Sequence, residues 1–351
     1  MLARRGLLLS LATYIGIFVA ACGGSGLPTT SEATTTLEPT ITPVLASQPT
    51  SAARPAATAI PTPAPTSTLA PAPTLPPTPT PTLMPTPPLT LTPTPTPVPI
   101  GQRTIIDRPD DSDLPQIHLV SAIAADGTDR AFDTDGAIKT SIESISYWFK
   151  TESGGLDFRW DTYQGELDVT FFQLASNEAL VIASGAYVRN VLEAEMSAAG
   201  VIRPNKQYMV FYDGGSTYSC GGGAWPPFIY GVLSAIYLLG EPPGAIGCGT
   251  NALGASPTAT GYWDIAMLHE FIHTLGLAST CAPNHHLSGH VSDSPNDLMW
   301  TGDAPWELPP RLDIGNDDYF RHENQDCPDL ANVGYIVPLP DDYWLPPGVS
   351  P

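Results

Sequence analysis

The chain has 351 residues, 42% of them apolar, with 40 Pro, 31 Gly and five Cys. Its 35 acidic and 14 basic side chains leave a net charge of −21, which excludes the positive field that binding to nucleic acid or to an anionic lipid surface requires. The length allows one or two folded units, and the uneven placing of Pro excludes a chain that is folded throughout.

Arg4 and Arg5 precede an apolar run from Leu7 to Ala21, the pattern of a secretory signal peptide. The run ends Val19-Ala20-Ala21-Cys22-Gly23, which resembles the lipobox of bacterial lipoproteins. The resemblance implies that residues 1–21 are a lipoprotein signal peptide and that Cys22 carries lipid on its sulfur and its amine. Two or more acyl chains suffice for stable membrane attachment. The expected localisation is that of an exported bacterial lipoprotein, membrane-anchored through Cys22, with its domain on the extracytoplasmic side.

Gly23 to about Ile100 is rich in Pro, Thr, Ala and Ser, holds 21 of the 40 Pro, and ends in repeated Thr-Pro pairs. Such a tract buries too little apolar surface to fold, and repeated Pro favours an extended polyproline II spacer. Residues 22–103 therefore read as the lipidated Cys and a disordered Pro/Thr-rich linker. Ser and Thr beside Pro also permit O-glycosylation. A Pro-rich ligand for a partner is the weaker reading, because the tract lacks interspersed basic anchors.

Residues 104–351 read as the folded domain. The first hundred residues hold three basic and two acidic side chains, so the remaining 33 acidic and 11 basic groups place the acidity in this domain. Solubility outside the cell accounts for it; attraction of a cationic substrate or of Ca²⁺ is the functional alternative. Gln116 to Ala124 predicts a strand. Asp135 to Lys150 predicts a helix, with Ile138, Ile142, Ile145 and Phe149 on one face and Asp133 or Asp135 as its cap. Leu156 to Trp160 and Glu166 to Leu174 predict strands, the second alternating at Leu167, Val169 and Phe171. Ala186 to Gly200 predicts a second helix closed by Gly200, and Gln207 to Tyr212 a buried strand. A Gly-rich loop from Gly214 to Pro227 carries Cys220, and Ile229 to Leu239 is an apolar stretch that fits a short helix or a strand. This mixture predicts an α+β class, with a mixed α/β-like sheet layered by helices.

His269-Glu270-Phe271-Ile272-His273-Thr274-Leu275-Gly276 follows. Trp263 to Leu275 contains no Pro or Gly, and Ile265, Leu268, Ile272 and Leu275 recur at helical spacing. On a helix, His269 and His273 share one face and present two imidazoles to one metal ion. Glu270 stands where its carboxylate reaches a metal-bound water. Asp264 suits the positive end of the helix dipole, and Gly276 suits a left-handed stop. An ordinary amphipathic helix with two His is the plainer reading, and the following Gly weighs against it.

Beyond the helix come His285, His286 and His290, then Asp297-Leu298-Met299-Trp300. Together with His269, Glu270, His273 and Gly276, this resembles the metzincin zinc metallopeptidases, whose motif H-E-x-x-H-x-x-G-x-x-H precedes a Met-turn. The likeness is specific over about residues 260 to 300. It implies a metzincin-like catalytic domain, one catalytic Zn²⁺, Glu270 as general base and Met299 as the Met-turn. The family's third ligand falls at Ser279, a poor zinc ligand. His290, flanked by Gly289 and close to Met299, is the first choice for that role; His285, His286 and Asp293 stay open. A gluzincin reading would take Glu307 or Glu323 instead and leave Gly276 and Met299 without a role. Thr301 stands where many metzincins have a Tyr, so no Tyr, Tyr319 included, is assigned to the oxyanion. His118 and His322 read as structural or surface residues.

Cys220, Cys248, Cys281 and Cys327 in an exported domain read as two disulfides, for which three pairings exist. Cys220–Cys248 and Cys281–Cys327 are preferred, since each clips a segment beside the metal helix. A structural zinc site of four Cys is disfavoured by the absence of any C-x-x-C. Asp313 to Glu323 predicts a short helix. Asn316-Asp317-Asp318 has the residue types of a Ca²⁺ site, though a solvated acidic turn explains it more simply.

The expected function is that of a surface-anchored zinc endopeptidase, acting on extracellular protein or peptide as a monomer and without nucleic acid. The alternative is a non-catalytic metal-containing module that binds protein or glycan.

Overall fold

The computed structural model describes Pro99 and residues 101–242, 247–301 and 307–350. The signal segment, Cys22 and nearly all of the Pro/Thr-rich linker lie outside the described residues. Among the described residues no helix is long and apolar enough to cross a membrane.

The chain opens with β1 (Gln116–Ile123), buried along its whole length, as befits a strand covered on both faces. Helix α1 (Ala137–Ser153) follows, then the two-residue strands β2 (Asp157–Phe158), β3 (Thr162–Tyr163) and β4 (Glu166–Leu167), and β5 (Val169–Gln173). The short helix α2 (Glu178–Ala183) leads to α3 (Val188–Ala198), β6 (Lys206–Tyr212), β7 (Gly221–Gly222) and β8 (Leu233–Tyr237). Helix α4 (Tyr262–Leu275) carries the histidine motif, and β9 (His285–His286), β10 (His290–Val291) and β11 (Ile336–Val337) come after it.

The main sheet has the order β5-β1-β6-β8-β7. Its first four strands run parallel, and β7 closes one edge antiparallel to β8. Strand alternation sorts the core into two layers. Ile117, Leu119, Met209, Phe211 and Ile236 face α1 and α4, burying Ile138, Ile142, Leu268, Phe271 and Ile272. Val120, Ala122, Tyr208, Val210 and Ala235 face α3, burying Val188, Leu192 and Met196. Helices on both faces of a mostly parallel sheet match the mixed layering expected from the sequence. The motif helix therefore lies flat against the sheet, next to its antiparallel edge.

Several elements differ from expectation. Helix α1 starts at Ala137 with Gly136 at its N-cap in the left-handed region; Asp133 is held by Arg103, while Asp135 accepts the Ala137 N–H at 2.8 Å. The strand expected from Leu156 to Trp160 forms a ladder only at Asp157–Phe158, which pairs with β11, while Trp160 makes a single bridge to Ile117 in β1. The strand expected from Glu166 to Leu174 breaks at Asp168, whose buried carboxylate accepts the Arg108 N–H and pairs with its guanidinium. No helix forms from Asp313 to Glu323. The Asp313 carboxylate accepts the N–H groups of Asp318, Tyr319 and Phe320, and Asp313, Asn316 and Arg321 have positive φ. Side-chain acceptors thus satisfy donors that a helix would have used.

His118 is fully buried, between the Asp161 carboxylate and Thr170 Oγ1. Lys206 Nζ reaches Asp107, Asp110 and Asp161 within 2.9 Å, so this cluster of acids surrounds an ammonium group already in place. The structural reading of His118 fits this setting. His322 is half-buried, its Nε2 3.2 Å from the Pro328 carbonyl.

Candidate metal centre

Helix α4 is closed at both ends by local chemistry. The Gly261 N–H donates to the Asp264 carboxylate at 2.8 Å, and Ser141 Oγ donates to the other carboxylate oxygen. At the far end Gly276 adopts φ 79° and its N–H donates to the His273 carbonyl at 2.9 Å, a stop that a side chain would strain. Nearly every residue between these caps is buried, so the helix presents its polar face to an interior cleft rather than to solvent.

His269, His273 and His290 converge there. His273 Nε2 lies 3.0 Å from His269 Nε2 and 3.2 Å from His290 Nε2. His269 Nδ1 is 2.7 Å from the Leu298 carbonyl, and His290 Nδ1 is 2.8 Å from the Leu287 carbonyl. A carbonyl only accepts, so each Nδ1 carries the proton and each Nε2 turns a lone pair toward the centre. Three nitrogens packed this closely could hold one metal ion between them. Protonation would be a costly alternative: burial holds His269 to about 4 and His290 to about 3. Burial first, and then its two neighbours, holds His273 well below the ordinary range. Two imidazole nitrogens on one tetrahedral zinc stand roughly 3.3 Å apart, close to the spacing seen. The donor set therefore fits a zinc ion with a position left for water, and carbonyl partners on Nδ1 are the usual means of orienting such ligands.

Glu270 stands beside the triad, buried, with Oε2 lacking a protein partner. Burial pushes its carboxyl up to about 8, against the pull of the Gly223 N–H. The edge strand makes room for it. A Cβ on Gly221 would lie 2.8 Å from Glu270 Oε1, and one on Gly223 only 2.3 Å from the Glu270 carbonyl. Thr274 Oγ1 accepts the Ala224 N–H at 3.0 Å, tying this strand to the helix.

The third histidine arrives on a hairpin. Strands β9 and β10 pair His286 with His290 and Val291 with His285. His290 is buried, its cross-strand partner His286 is exposed, and His285 Nδ1 lies 2.9 Å from the Ala278 carbonyl. Gly289 has φ 76°, and a Cβ there would lie 2.8 Å from Trp225 Nε1 and 3.3 Å from His273 Nδ1. Ser279, at the family's ligand position, sits instead by the Cys281–Cys327 disulfide, 3.0 Å from Cys281 Sγ. That disulfide and Cys220–Cys248 are both formed; one restrains the hairpin segment and the other the edge strand. Glu307 and Glu323 are exposed, outside the His cluster.

Neither Asp293 nor Asp297 accepts a ring N–H from His269 or His290; backbone carbonyls do. Asp297 works one step further out. Fully buried, it accepts the Met299 N–H at 2.7 Å, the Ile314 N–H at 2.8 Å and Tyr319 Oη–H at 2.8 Å. These bonds shape the turn that presents the Leu298 carbonyl to His269. Met299, fully buried, belongs to the core on that side, and its carbonyl accepts the Val291 N–H at 2.9 Å. Tyr319 is thus a brace of the turn rather than a group in the cleft. The Asp-Leu-Met order hinted at Asp297; nothing local pointed to Tyr319.

Asn316 does not join Asp317 and Asp318 in an acidic turn, since its amide donates to the Phe320 carbonyl. Asp293, Asp317 and Asp318 bring carboxylates within 4.8 Å of one another, and Asn284 answers part of that charge with N–H groups to Asp317 and Asp318.

No protein-family model and no curated protein matches the chain. Among solved structures it is similar to archaemetzincin from Methanopyrus kandleri, with 13% identity, 53% of this chain and 82% of that one covered, and a TM-score of 0.29. It is also similar to OgpA from Akkermansia muciniphila, with 14% identity, 63% of each chain covered and a TM-score of 0.33. Likeness at this level carries no assignment of activity, which rests on the residues themselves.

Proposed function

We propose that the chain is a metzincin-type zinc endopeptidase. The observation that carries this reading is the convergence of three Nε2 atoms, those of His269, His273 and His290, beside a buried carboxylate oxygen of Glu270 without a protein partner. His269, His273 and His290 would hold the ion. A zinc ion bound there supplies a water of lowered pKa and polarises the scissile carbonyl. Glu270 takes the proton from the attacking water and delivers it to the leaving amine. Its burial favours this exchange by bringing its pKa near neutrality. Strand β7, at the sheet edge and free of side chains at Gly221 and Gly222, offers its backbone to an extended peptide alongside Glu270.

On this reading lipid on Cys22 holds the enzyme at the outer face of a membrane, and the Pro/Thr-rich segment spaces it from the surface. Its substrates are extracellular proteins or peptides. Glu270→Gln tests the chemistry, because the change is nearly isosteric and removes the base alone. The variant is expected to keep its zinc and its melting temperature and to lose chelator-sensitive hydrolysis of casein. Wild-type turnover in Glu270→Gln would rule out Glu270 as the base. A wild-type chain that binds zinc but cuts nothing across a broad peptide panel would instead favour a non-catalytic binding module.

A further inference from the structure

A surface pocket of about 570 Å³ lies beside the Cys281–Cys327 disulfide and shares no lining residue with the His triad or Glu270. Its volume falls inside the roughly 300–1,000 Å³ of sites that enclose a small ligand. The lining gathers amides and carboxylates around one large ring, that of Trp344. Among the described residues there it holds no Lys, Arg, Leu, Ile, Val or Phe.

Part of the wall is fixed by the fold. Trp344 is half-buried against the core, its Nε1–H donates to the Asp329 carbonyl at 3.0 Å, and its backbone N–H donates to the Asn332 carbonyl at 3.0 Å. The Asp329 carboxylate accepts the N–H groups of Arg321 and Ala331. The Asn324 amide donates to the Cys281 carbonyl and accepts the Asp326 N–H, both at 3.1 Å. The other amides and carboxylates of the wall are free. Through their side chains, Gln325, Asp326, Asn332 and Asp342 bond to no other described residue.

The free groups select the ligand. The two amides offer both N–H donors and carbonyl acceptors, and the carboxylates only accept. An anion would be repelled by Asp326, Asp329 and Asp342. A divalent ion needs converging ligands, and among the described residues the acid and His groups close enough to share one ion do not include these three. An ammonium only donates, which leaves the amide N–H groups without a role. A hydroxyl donates and accepts, so neighbouring hydroxyls match the mixed wall. The negative face of an indole attracts the C–H-bearing face of a sugar ring.

We propose that this pocket binds a short neutral carbohydrate, at a site separate from the metal centre. The proposal does not depend on the peptidase reading.

The full chain, loaded with zinc, is applied to an array of immobilised neutral oligosaccharides, and its best ligand is titrated by calorimetry. A Kd of about 1 mM or tighter is expected. Trp344→Ala and Asn332→Ala should each weaken binding roughly threefold to tenfold, and Trp344→Phe should recover part of the loss. The Asn332 side chain supports nothing else in the fold, so Asn332→Ala keeps the test open if Trp344→Ala misfolds by circular dichroism. Changing Asp326 and Asp342 together to Asn removes charge and keeps an acceptor oxygen at each position. Sugar binding in that variant should stay within about threefold of wild type and respond little to salt. His290→Ala should bind the sugar as wild type does. Absence of any bound glycan, or unchanged affinity in folded Trp344→Ala and Asn332→Ala variants, would overturn the proposal. Salt-sensitive binding of spermidine that the double Asn variant loses, with no glycan bound, would make this a cation site instead. Loss of sugar binding in a folded His290→Ala chain would move the sugar to the metal centre.

Discussion

Asp297→Ala tests whether the centre is held by residues that never touch it. The carboxylate accepts hydrogen bonds from Met299 N–H, Ile314 N–H and Tyr319 Oη–H, all within 2.8 Å, the first and last out of solvent and the Ile314 bond part-buried. Each buried donor left unmatched costs about 1–3 kcal/mol. Partial rescue by entering water brings the expected total to about 3–5 kcal/mol. For a domain of this size that corresponds to a fall in melting temperature of about 6–20 °C. The same loss reaches the metal by two routes. The Leu298 carbonyl orients His269, and Met299 and Thr301 are bonded to Val291, the neighbour of His290. Removal of outer partners of this kind typically weakens metal binding about 10- to 100-fold. Thermal melts with and without zinc, and zinc affinity by competition with a chromophoric chelator, measure both effects. Asp297→Asn, which keeps an acceptor oxygen, should fall between wild type and Asp297→Ala. Zinc affinity within about threefold of wild type in Asp297→Ala would refute the assigned role, since it lies below the range expected for such a support.

His290→Ala is expected to lose most bound zinc on purification, whereas His285→Ala and His286→Ala keep it, as elemental analysis of the three proteins would show. Gly289→Ala combines a left-handed backbone, costing about 1–2 kcal/mol, with a Cβ against Trp225 and His273; chemical denaturation should show at least that loss, together with weaker zinc binding. Burial alone would raise the Asp161 carboxyl, but its hydrogen bond with His118 and the Lys206 ammonium outweigh burial and hold it below the ordinary carboxylate range. The stability it contributes is therefore present above that range and lost as pH falls through the depressed folded value. Urea denaturation between pH 6 and pH 3 should show a steeper acid loss in wild type than in Asp161→Asn, and parallel curves would contradict this.

What the sequence determined on its own was local. The i, i+4 spacing of His269 and His273, the breaker-free run before them and Gly276 after them fix helix, paired ligands and stop within one short segment. Largely apolar stretches without strict alternation likewise marked β1 and β6, as suits strands covered on both faces. Local cues ranked His290 ahead of His285 and His286 without excluding them. The choice depends on how the β9–β10 hairpin packs, which brings His290 against His273 and leaves its cross-strand partner His286 exposed. The braces on Asp297 come from Ile314 and Tyr319, 17 and 22 residues away, so no pattern in the neighbourhood of the motif encodes them. Asp313 shows the same limit from the other side. Its segment has the composition of a helix start, yet its carboxylate collects the N–H groups of Asp318, Tyr319 and Phe320 into a turn. Spacing along a helix is set by the backbone's own geometry and is written in the sequence. The meeting of distant loops is set by packing and by competition for hydrogen bonds, and only the folded chain decides it.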